Sequence, residues 1–207
     1  MSERFDIEKV GQTFQDSLHG EDDIHLGEYL QAYEEINKFF QLMGSVFGFV
    51  SSDVRSKIDI LEEFRSNDGT TTNFKTIKTM IEYEINTDLL KDKNYISGSR
   101  TLLRLHRGLE FVYEFLNRLS ELEEHDKLHN CSKEVYNDTL GKHHPWMIRK
   151  GAVLAMYALP TQGELLKRVC VNVPRAKEVL PDMLKNTKTV YERTDSLYTH
   201  FDLHGLP

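Results

Sequence analysis

At 207 residues the chain is long enough for one sizeable domain with its own core, and 39% hydrophobic with 29% charged residues excludes the disordered, collagen-like and membrane-embedded classes. A formal net charge of −7 argues against general adhesion to nucleic acid or to anionic surfaces, so any anion the chain binds has to be met by a local cluster of cations. Two cysteines, Cys131 and Cys170, stand far apart and outside any metal-ligand spacing, which points to neither a disulfide framework nor a zinc site and fits a reducing, cytosolic setting.

In chain order, residues 1–10 alternate charged and apolar side chains and lack the basic and apolar regions of a secretory signal. A 3.6-residue periodicity predicts helices over 3–18, 27–65 with a break near Ser51, 73–91, 98–121, 131–143, 146–158, 161–171 and 175–200. No stretch shows the period-two alternation of strands, so the fold class is all-α with about eight helices. The longest apolar run, 39–50, is interrupted by Gln41, Gly44, Ser45 and Gly48 and falls short of the roughly 20 residues that cross a bilayer. Residues 19–23, 66–69 and 91–94 read as surface connections, and Pro160, Pro174 and Pro181 as helix starts. Without a linker or a repeat, a single domain over 1–207 is expected.

Two predicted helical faces are wrong for a simple core. Val46, Phe49, Val50, Asp53, Lys57, Ile60, Leu61 and Phe64 fall along one stripe, so two charges lie inside an apolar face. An exposed i,i+4 pair is the plain alternative for Asp53 and Lys57. On the helix over 98–121, Arg100, Arg104 and Arg107 share a face that Phe111 and Phe115 continue, cationic at one end and apolar at the other. Guanidinium groups pair bidentately with phosphate and a lysine adds a point charge, so Lys57, Arg100 and Arg104 together suit a phosphomonoester with an apolar tail. Pro145 presets the first turn of a new helix and fixes His144 at its start, where capping or burial is the alternative to ligand binding. Metal binding there lacks further ligands at the right spacing. Trp146, the only tryptophan, suits either a bilayer interface or the core.

Taken in order, 53–57 (Asp-Val-Arg-Ser-Lys), 100–109 (Arg-Thr-Leu-Leu-Arg-Leu-His-Arg-Gly-Leu), 143–146 (His-His-Pro-Trp) and 157–161 (Tyr-Ala-Leu-Pro-Thr) resemble the glycolipid transfer protein superfamily over nearly the whole chain. The resemblance implies a two-layer all-α sandwich that encloses an apolar lipid pocket, with Asp53 and His144 holding the amide of a sphingolipid. Sugar-binding members of that superfamily carry a tryptophan in a Trp-Leu-Lys-Arg-Gly-Leu segment at the position of Arg104 and an asparagine at that of Lys57. With cations at both positions and its sole tryptophan at 146, this chain is expected to take a phosphate head group, ceramide-1-phosphate, through Lys57, Arg100 and Arg104. Val46, Phe47, Val50, Leu103, Phe111, Phe115, Leu140 and Met147 are the expected lining for the chains, and Trp146 the expected membrane contact. The expected partners are the lipid and, transiently, a membrane surface, with no cofactor, no metal and no nucleic acid.

An enzyme using Asp53, His144 or His106 as acid–base groups is the main rival, but neither a positioned nucleophile nor a nucleotide-binding loop is in the sequence. A sensor or adaptor that binds the same lipid and signals through a protein partner stays open.

Overall fold

The computed structural model describes residues 4–207. The expected start of the first helix, at residue 3, lies outside them. α1 (Ile7–Ser17) begins where Asp6 accepts the Lys9 amide, and it buries Ile7, Val10 and Phe14. It runs close to the last helix: a Cβ at Gly11 would lie 3.1 Å from the backbone of Met183. A two-residue antiparallel pair follows, β1 (Leu18–His19) with β2 (Asp23–Ile24), in the register Leu18 to Ile24 and His19 to Asp23. This corrects the expectation of no strand, since two residues are too few for an alternation pattern to register.

The long helix expected over 27–65 is two helices, α2 (Leu26–Leu42) and α3 (Gly48–Ser66), joined by a 3-10 turn at Ser45–Phe47. The break lies at Gly44, whose φ of 123° excludes most side chains, and not at Ser51, which is helical and buried. Apolar periodicity runs through the break, so composition alone put it in the wrong place. α4 (Ile77–Asn86) opens with a Thr76–Thr79 capping box and is shorter than the expected 73–91; the chain reverses at Asp88 with φ 57°. α5 (Gly98–Glu121) agrees with the periodicity. α6 (Leu128–Asp138) gives way to a 3-10 turn at Leu140–His143, and α7 (Trp146–Met156) and α8 (Gln162–Val169) follow. α9 (Val173–His200) starts next to Pro174, but Pro181 lies inside it rather than at a start. A proline costs one intrahelical bond there, and the flanking turns are long enough to carry the helix through.

The helices form two layers. α1 packs between α2 and α9, and α5 is the hub, touching α3, α4, α6 and α9. Side chains of α2 and α5 meet across the core, where the Tyr33 hydroxyl donates to the Leu105 carbonyl and the Phe39 and Phe115 rings lie 6.3 Å apart. The N-terminus of α5 is fixed by the buried Glu84 of α4, which accepts from Ser97 Oγ at 2.8 Å and from the amides of Gly98 and Ser99 at 2.6 and 2.9 Å. A carboxylate at the positive end of a helix is favourably placed, and this one holds the helix that carries the arginines.

Candidate functional site

A cavity of about 680 Å³ opens between α3, α5, the turn at 140–143 and α7. Its polar rim carries Asp53 and Lys57 from α3, Arg104 and Arg107 from α5, and His143 and His144. Its interior is apolar, with Phe40, Met43, Val54, Val112, Ala155 and Met156 all buried. An apolar chamber with its charged residues gathered together suits an amphiphile.

Lys57 is nearly buried, with 12% of its side chain exposed, and pairs with the exposed Asp53 at 2.5 Å. Asp53 is the one Asp or Glu side chain among the described residues that line the cavity. Arg104 donates to the main-chain oxygen of Pro207 at 3.4 Å, and Arg107 donates to the carbonyls of His204 at 2.8 Å and Leu206 at 3.4 Å. Among the described residues neither arginine has an Asp or Glu side chain within ion-pair distance. Burial, then the neighbouring Arg104 charge, pull the Arg107 guanidinium below its ordinary value against the opposing effect of Tyr198. Two neighbouring guanidinium groups with no Asp or Glu side chain paired to them suit an anion.

His144 stands at the start of α7, with its Nδ1 2.7 Å from the Tyr136 hydroxyl. Burial lowers its pKa, while Asp53 raises it and Lys57 lowers it, so the ring is biased to the neutral form. When the phenol donates to Nδ1, the ring proton sits on Nε2, as a donor free for another acceptor.

The structure brings Asp53, Lys57, Arg104 and His144 to one rim and leaves Arg100 off it. The Arg100 guanidinium instead donates to the carbonyls of Asp92 and Tyr95, both at 3.3 Å, and to that of Leu90, tying down the loop before α5. Phe47, Val50, Phe111 and Leu140 line the cavity as expected from the sequence. Leu103 and Phe115 belong to the closed core instead. Leu103 lies about 100° around the helix from Arg104, and Phe115 sits one turn behind Phe111, their rings 5.8 Å apart. Val46, on the 3-10 turn before α3, and Met147, in the first turn of α7, are exposed, Met147 at 76%, and do not line the cavity.

Arg107 was readable as the third member of the arginine stripe. Tyr136 carried no signal, since only the fold brings it back to His144. Trp146 is 60% exposed, with Lys150 Nζ 4.0 Å from its ring centroid, which removes the core alternative. Phe49 and Ile148, both about half exposed, line the cavity as well and make its mouth apolar on the outside. Among the described residues no helix is long and apolar enough to cross a membrane, and no group of three or more His, Cys, Asp or Glu side chains could hold a metal ion.

The family model described as Glycolipid transfer protein (GLTP) matches residues 24–171. The chain is 35% identical over 212 residues to the ceramide-1-phosphate transfer protein of Danio rerio, covering 100% of both chains. It superposes on mouse ceramide-1-phosphate transfer protein in its apo form with a TM-score of 0.91, at 30% identity over 98% of this chain and 100% of that one. With the human protein in complex with 2:0 ceramide-1-phosphate the TM-score is 0.89, at 28% identity over 99% and 100%. A family model that spans most of the chain, full-length relatives and a shared fold agree: this chain belongs to the glycolipid transfer protein family.

Proposed function

We propose that the chain carries ceramide-1-phosphate between membranes from the cytosolic side and performs no covalent step. The observation that supports this most is the pair Arg104 and Arg107, both without an Asp or Glu side-chain partner among the described residues, beside Lys57 at the mouth of an apolar cavity of about 680 Å³. A ceramide exposes roughly 30 methylenes, and at ~0.8 kcal/mol each their transfer into water costs about 25 kcal/mol, so unaided desorption is very slow. A carrier removes that barrier by keeping the chains dry.

In this reading Lys57, Arg104 and Arg107 neutralise the phosphate, Asp53 accepts from the amide N–H and the sphingoid hydroxyl, and His144 Nε2–H donates to the amide carbonyl. Arg100, one turn before Arg104, adds its charge, and it touches the phosphate only by giving up its loop carbonyls. The chains pass between Phe49 and Ile148 into the cavity, and Trp146 with Met147 rests in the interfacial layer of the membrane. Peripheral contact of the same face with Golgi, endosomal, plasma or nuclear membranes is part of this reading.

Vesicle-to-vesicle transfer of labelled ceramide-1-phosphate, glucosylceramide and ceramide tests this. The phosphate lipid is expected to move intact and at least tenfold faster than the other two. Equal rates for all three, or release of inorganic phosphate, would overturn the reading.

A further inference from the structure

The rim contains a second histidine that the proposed cycle leaves without a role. His143 ends the 3-10 turn at Leu140–His143 and lines the cavity beside Arg107 and His144. Unlike His144, whose Nδ1 is engaged by Tyr136, the His143 imidazole has no hydrogen bond or ion pair among the described residues. Its side chain is exposed, and its permanently charged neighbours are cationic: Arg107 on α5 and Lys142 next to it in sequence. His144 and the buried His106 are also near, both biased to the neutral form, and Arg104 and Lys57 line the same cavity. The opposing charges are Asp53, already paired with Lys57, and Glu110 on α5, which feels Lys142. α6, packed against the turn, contributes the neutral Tyr136. An unpaired imidazole among cations loses its proton readily and regains it when an anion arrives.

We infer that His143 is a further head-group residue, one that takes up a proton as the phosphate binds and so couples lipid capture to pH. The inference rests on the proposed function, because the anion in question is the phosphomonoester of the lipid. Partial burial, followed by Arg107, His144, Lys142 and His106, holds the His143 pKa below its ordinary value before the ligand arrives. A phosphate within about 4–6 Å then raises it by about one unit or more. The sign follows directly. A group whose pKa is higher in the complex strengthens binding as pH falls through the bound pKa, and the gain is complete below the free pKa. A shift of one unit is worth about tenfold in affinity. The phosphate loses its second charge near pH ~6 and works in the opposite direction, so His143 holds affinity up where the lipid alone would lose it.

The test uses 2:0 ceramide-1-phosphate, water-dispersed, and calorimetric titration at pH 7.0 in two buffers of different ionisation enthalpy, which counts protons taken up per ligand bound. Wild type is expected to take up several tenths of a proton more than His143→Gln, and the ratio of their affinities to grow severalfold between pH 8 and pH 6, toward the limit of about tenfold reached below the free pKa. Terms from the phosphate and from His144 cancel in that ratio. His143→Lys, a permanent cation, is expected to take up no more protons than His143→Gln while binding more tightly than it at pH 7. In the wild type, the His143 ring resonance should titrate about one unit higher with ligand than without. Binding with the same proton count in wild type and His143→Gln, and an unshifted ring titration, would overturn this inference and leave the proposed function standing. No binding by the wild type at any pH would overturn both.

Discussion

Asp53 and Lys57 show why a pair that contributes little to folding can decide binding. Asp53 is 67% exposed, and an exposed ion pair contributes under about 1 kcal/mol to stability. In the proposed complex, however, Asp53 is the one carboxylate able to accept from the lipid's amide and hydroxyl. Asp53→Val is therefore expected to melt within about 3 °C of wild type by circular dichroism and to lose ceramide-1-phosphate transfer by a hundredfold or more. Normal transfer by the folded variant would remove Asp53 from the head-group site. The pairing itself was readable as an i,i+4 spacing within an apolar stripe. Arg100 was not, because its position depends on the carbonyls of Leu90, Asp92 and Tyr95, and the path of a loop is not encoded in side-chain periodicity. Tyr136 on His144 escaped for a related reason, since the turn at 140–143 brings them together.

At the level of elements, α5 carries both the arginines and Phe111, so whatever fixes its N-terminus fixes the rim. Glu84 does so from α4 with three accepted hydrogen bonds. Glu84→Gln retains the shape but replaces one accepting oxygen with an amide NH2, so that either the Gly98 or the Ser99 amide loses its acceptor, and it removes the charge at the helix end. The expected cost is about 2–3 kcal/mol. For a chain of this size, each kcal/mol is about 2–4 °C, so a fall of roughly 4–12 °C in Tm is expected. Calorimetry checks it, and an unchanged Tm would mean that the buried carboxylate is not what anchors α5. Periodicity located α5 almost to the residue because its apolar stripe is continuous and both flanks are polar. It merged α2 with α3, whose stripes run on across Gly44, and it extended α4 to residue 91 past the left-handed turn at Asp88. Single-residue backbone reversals are weak signals beside an eleven-residue pattern.

For the whole molecule, an acidic chain of net charge −7 concentrates arginine and lysine at one opening and exposed Phe49, Trp146, Met147 and Ile148 near it. That polarity of surface suits approach to a membrane by one face only, with the apolar mouth in the lipid and the remaining acidic surface repelled from anionic head groups. The all-α class was legible in the helical period. The layering and the lipid came through the resemblance, since periodicity states which face is apolar and not what that face meets. About half of the expected cavity lining belongs to the core or the surface for the same reason. The central claim, that cations at the rim select a phosphate head group, is tested most directly by transfer of ceramide-1-phosphate by Arg104→Leu beside Arg118→Leu. Arg104 and Arg118 are both exposed on this helix, but only Arg104 lines the cavity, where a bound lipid would desolvate it. Removing a desolvated partner of phosphate costs roughly 3–5 kcal/mol, a loss of several hundredfold or more, whereas an exposed arginine costs under about 1 kcal/mol. The account predicts near-complete loss of transfer for folded Arg104→Leu and normal transfer for Arg118→Leu; normal transfer by both variants would contradict it.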